Sequence, residues 1–165
     1  MQARIRQACL FAVVALGLVV VLAGTALAQS STPTNIGTWK LNLAKSTYAA
    51  GTAPKSSILK IEVAGAGVKA TVDAVTADGT VQHWGFTGTY DGTDSAISGN
   101  SPYGDVVSGT RVDANTTKNI YKKGGAVTTT LTAVVSSDGK TMTFTGASKN
   151  AAGQTVNNVR VYDKQ

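Results

Sequence analysis

The chain has 165 residues, with 15 Lys and Arg, 9 Asp and Glu, one His and one Cys. A single Cys excludes a disulfide framework, and one His beside one Cys leaves too few soft ligands for a structural zinc site. The formal net charge of +6 is spread along the chain, with no basic stripe interleaved with aromatics, which argues for a solvated surface and against a nucleic-acid partner.

Residues 1–28 read as a secretory signal peptide. Arg4 and Arg6 precede the apolar run "ACLFAVVALGLVVVLAG", and Ala26 and Ala28 flank Leu27 as small residues before a cut. The run is near the lower limit for spanning a bilayer, so cleavage near Ala28 is expected, with no stable membrane insertion. Cys9 lies inside this leader, and Gln29 stands where a lipoprotein needs a cysteine. The expected mature domain is 29–165, secreted or periplasmic, without disulfides, and large enough for one core.

The mature sequence reads as strand after strand. Expected strands lie at 36–43, 57–64, 67–75, 80–89, 93–98, 105–113, 117–122, 126–135, 140–148 and 154–163. Turn signals separate them: "AGAG", "TADG", "YDGTD", "KKGG", "SSDG" and "NAAG". Gly in these pairs supplies the positive φ that tight hairpins need. Only residues 44–56 form a longer link, with room for one short helical turn.

Alternation assigns the faces. Trp39, Leu41 and Leu43 share one side of the first strand; Leu59, Ile61 and Val63 share one side of the second. Trp84, Phe86 and Tyr90 share a face of the fourth, Val127, Leu131, Ala133 and Val135 a face of the eighth, and Met142 and Phe144 define the ninth. One-sided strands joined by tight turns fit a sandwich or a barrel, and regular up-and-down hairpins favour closure, which removes exposed edges. The expected fold is all-β, a single antiparallel up-and-down β-barrel of about 8–10 strands. An outer-membrane barrel is the rival, but the outer faces carry Thr, Lys and Asp in place of an apolar band with aromatic girdles.

Gly37-Thr38-Trp39 resembles the Gly-x-Trp that opens the first strand in the calycin superfamily of lipocalins and fatty-acid-binding proteins. The chain looks most like a small bacterial secreted protein of lipocalin-like fold. The resemblance implies a structural signature of Gly37, Trp39 and a basic residue from the last strand packed over the indole, for which Arg160 is the candidate. It also implies a competing role, because Arg160-Val161-Tyr162 matches the Arg-x-Tyr with which fatty-acid-binding proteins hold a carboxylate. The structural role is favoured. The lid helices of the fatty-acid-binding branch and the usual lipocalin disulfide have no counterpart here.

No residue set supports catalysis. His83 falls on the face opposite Trp84, no Gly-x-Ser-x-Gly elbow is present, and the aspartates sit mostly in turns. No metal loop or cofactor motif is present. What remains is an interior set, Trp84, Phe86, Tyr90 and Tyr121, joined by Tyr103 on the rim loop "SGNSPYGD" and by Arg160 and Tyr162. These seven are the candidate ligand-binding residues, with core packing as the plain alternative. The expected function is non-catalytic binding of a small hydrophobic or amphipathic ligand. The alternative is a structural or protein-interaction barrel of the cell envelope with a filled interior.

Overall fold

A computed structural model describes residues 33–149 and 155–165. The expected leader, its cleavage site and the "NAAG" turn lie outside the described residues. Ten strands run in order: β1 (Gly37–Leu41), β2 (Ser56–Ala64), β3 (Gly67–Val75), β4 (Val81–Gly88), β5 (Asp91–Gly99), β6 (Val106–Arg111), β7 (Thr116–Lys123), β8 (Ala126–Val135), β9 (Thr141–Lys149) and β10 (Thr155–Lys164). Each pairs antiparallel with its chain neighbour, and β1 pairs with β10, so the sheet closes into a barrel. The only other element among the described residues is a 3-10 turn, Leu43–Lys45.

The turns form for a local reason. In "TADG" and "SSDG" the Asp carboxylate accepts the backbone N–H two residues on: Thr80 N to Asp78 at 2.9 Å, and Lys140 N to Asp138 at 3.0 Å. Asp91 likewise accepts Thr93 N at 2.9 Å. These bonds favour the carboxylate, so Asp78 and Asp91 are lowered to about 2, Asp78 chiefly by the Thr76 hydroxyl and Asp91 chiefly by the Thr93 backbone N–H. These three aspartates are turn-formers, and no group of metal ligands exists among the described residues.

The β1–β10 seam is short. Paired residues run only from Trp39 opposite Lys164 to Leu41 opposite Tyr162. Beyond it, the link takes over the edge of β10. Asn42 N donates to Val161 O at 2.8 Å, Thr47 exchanges bonds with Val159 at 2.8 and 3.0 Å, and Val161 N donates to Ser46 Oγ at 2.9 Å. Lys45 and Asn42 both hold Asp163, at 2.9 and 2.6 Å. The link is therefore part of the wall.

Three inward assignments are corrected. Leu43 leaves the first strand for the 3-10 turn and is 45% exposed. Val63 sits beside the β2–β3 hairpin tip and is exposed. Val127 is exposed because Thr128 is an extra residue opposite β7: Tyr121 faces Thr129, while Lys122 already faces Val127. Thr129 stays on the buried face with Leu131 and Ala133, and the bulge before it turns Val127 out.

Candidate functional site

The two ends of the barrel are built differently. At the end where β1 starts and β10 finishes, Trp39 is completely buried among Leu41, Leu59, Ile61, Val68, Val135 and Met142. Its Nε1 donates to the Asn35 carbonyl at 2.9 Å. The Asn35 side chain donates in turn to the Tyr90 hydroxyl, and Thr34 ties this segment to Ala114 O across the barrel end at 2.9 Å. Two cations finish the closure: Lys164 Nζ lies 5.1 Å from the Trp39 ring centre, and the Arg111 guanidinium lies 4.9 Å from that of Tyr90.

The expectation that Arg160 covers Trp39 is therefore corrected. Register decides it, because Trp39 faces Lys164, and Arg160 is four residues back along β10, about 13 Å away at strand rise. Gly37 explains why the motif needs glycine. Its φ is +138°, and a Cβ there would stand 2.8 Å from Lys164 Cε, in the path the lysine takes to the indole.

Towards the other end the interior is open. A cavity of about 260 Å³ extends from Asn35 and Tyr90 to the link residues Tyr48, Thr52 and Pro54 and the Pro102–Tyr103 loop. A ten-stranded barrel is wide enough to leave such a space. Trp84, Tyr103 and Tyr121 form an aromatic waist, with Trp84 edge-on to Tyr103 at 5.7 Å and to Tyr121 at 6.3 Å. Phe144 meets Tyr162 edge-on at 5.6 Å.

Arg160 projects into this space from β10. Its guanidinium sits 5.3 Å from the Tyr103 ring centre, and Nη1 donates to the Tyr103 hydroxyl. No carboxylate pairs with it among the described residues. Burial opposes its charge, but the oxygens of Tyr103, Tyr162, Tyr48 and Tyr121 more than offset this, so the group stays cationic. Burial pushes the Tyr48, Tyr121 and Tyr162 hydroxyls above their ordinary range, so all three keep their protons at neutral pH. Tyr162 Oη donates to Ser57 Oγ at 3.1 Å. Arg160 Nε and Tyr48 Oη are enclosed and have no partner among the described residues.

All seven residues expected from the sequence, Trp84, Phe86, Tyr90, Tyr103, Tyr121, Arg160 and Tyr162, lie on the wall of this one cavity. Tyr90 belongs to the closed end, its hydroxyl engaged by Asn35. The sequence reading missed Tyr48, Asn35 and Asn119, which also line the space. Tyr48 and Asn35 lie outside the strands, where periodicity carries no information. Asn119 was findable, since it shares the face of Tyr121 by alternation.

His83 points outward, its Nδ1 2.5 Å from Asp73 Oδ1, and both side chains are mostly exposed. No protein-family model and no curated protein matches the chain.

Proposed function

We propose that this protein is a non-catalytic binding protein of the lipocalin and fatty-acid-binding type, secreted or periplasmic, that holds a small amphipathic molecule by an anionic group. The observation that carries this reading is the Arg160 guanidinium, inside a cavity lined by aromatic, aliphatic and neutral polar side chains, near hydroxyls and, among the described residues, paired with no carboxylate. A buried cation with neutral neighbours only is costly for folding. It is useful where an anion is to be bound, because a charge-assisted bond in a dry site is strong. The apolar remainder of the wall suits the apolar part of such a ligand. The same cavity weighs against a filled-interior envelope module.

Native mass spectrometry of protein purified from its own host tests this. The expected result is a co-purifying small acid that is lost in Arg160→Met. The same bound compounds on both proteins, or neither protein taking up any carboxylate offered to it, would end the proposal.

A further inference from the structure

The inner face of β7 is polar. Alternation turns Thr117, Asn119 and Tyr121 inward, and all three are buried and line the cavity. Their side chains make no hydrogen bond to any described residue. Yet none of their polar atoms is among the enclosed atoms without a partner, which are Asn35 Oδ1, Tyr48 Oη and Arg160 Nε. The polar atoms of Thr117, Asn119 and Tyr121 therefore reach open space. Asn119 is only 7% exposed, and the space its residue borders is the cavity.

Asn119 is the telling member. It stands between Leu131 of β8 and Gly109 of β6, neither of which brings a side-chain partner. A buried amide left unpaired costs stability, and β8 shows the apolar choice on the facing rows, with Leu131 and Ala133. Core packing alone therefore does not account for an Asn at this position. An amide both donates and accepts, and so does each flanking hydroxyl. The stripe thus matches a neutral group that can do the same, where Arg160 matches an anion.

Resting on the reading of the cavity as a ligand site, we infer that the ligand carries a second, neutral polar group in its body, a hydroxyl or a carbonyl, that hydrogen-bonds to Asn119. The ligand is an oxygenated acid, and an acid with a plain hydrocarbon body leaves this stripe unserved.

Calorimetric titration of the full mature protein with octanoate and three monohydroxyoctanoates tests this. The hydroxyl is placed near the carboxylate, at mid-chain or near the tail, so that a flexible chain offers it to β7 at different points. At least one isomer is expected to bind at least about fivefold tighter than octanoate, the worth of one satisfied buried partner. In Asn119→Leu that advantage should vanish, while octanoate binds as tightly as to wild type or more so. Asn119→Ala, which adds no bulk, gives the same readout if the leucine variant does not fold. A cavity wall served by water alone gives no isomer an advantage. That result, or an advantage that survives the Asn119 substitutions, overturns the inference. Should octanoate in that case bind wild type and not Arg160→Met, the anion-binding reading stands alone. If none of the four acids binds, both fall. If Arg160→Met binds octanoate unchanged, the anion-binding reading falls, and the hydroxyl preference still decides this inference.

Discussion

The two ends of this barrel use the same strands, the same alternation and nearly the same residue types, yet they do opposite things. At the closed end both large aromatics are engaged: the Trp39 indole donates to Asn35 O, its ring carries Lys164, and the Tyr90 ring carries Arg111, with Asn35 Oδ1 the one buried atom there without a partner among the described residues. In the interior towards the open end, Arg160 and Tyr48 keep unmatched polar atoms beside a cavity. The two inward cations of β10, Arg160 and Lys164, show the contrast on one strand. One lies over the plug, and the other is held beside the cavity by Tyr103. On the proposed function, stability and binding fall to different ends, and mutations should separate them.

The largest effect is expected at the plug. Trp39→Ala removes a fully buried aromatic and should cost about 3–5 kcal/mol in urea denaturation. A loss below about 1 kcal/mol would mean that this end is not what closes the core. In the middle of the interior, Tyr162→Phe loses the bond to Ser57 and should cost about 1 kcal/mol by the same measurement. Lys164→Met should cost less, about 0.5–1 kcal/mol, as for a partly solvated cation over a ring. If it costs nothing while Arg160→Met costs several kcal/mol, the assignment of the two cations is reversed.

Acid should act on the turns and on the Asp163 contacts of the β1–β10 seam, where hydrogen bonds hold the carboxylates below their ordinary range. Asp78 and Asp91 have folded values of about 2, below their unfolded values, so their contribution is complete above about pH 4 and is lost as pH falls towards 2. Thermal melts at stepped pH should show the midpoint dropping within that window and flat between about pH 5 and 8. Asp78→Asn should flatten part of the acid drop. The smallest stability change is expected for Arg160→Met, within about 1 kcal/mol of wild type or stabilising, because the change removes a buried cation that has no ion-pair partner among the described residues.

Much of this architecture was legible before any coordinates. Period-two alternation and Asp-Gly turns located ten strands, because both signals are local. The inward aromatics Trp84, Phe86 and Tyr121 followed from the same alternation. What alternation could not supply is register. Whether Arg160 or Lys164 meets Trp39 depends on how the two chain ends pair, and a shift of four residues keeps the same face while changing the partner. The bulge at Thr128 was invisible for a related reason, since one unpaired residue leaves no compositional mark. Tyr48 and Asn35 reach the cavity from irregular segments whose path is set by long-range bonds such as Thr47 to Val159.

The central claim is that Arg160 serves the cavity and not the plug. Heteronuclear NMR of the arginine side-chain Nε–H groups tests it most directly, since Arg111 and Arg160 are the only arginines in the described chain. On titration with phenylpropanoate, the Arg160 Nε–H signal should move strongly as the guanidinium takes up the carboxylate, while Arg111, over the Tyr90 ring, stays nearly fixed. An Arg160 signal that does not respond while the acid binds, or one that shifts on Trp39→Phe instead, would contradict the account.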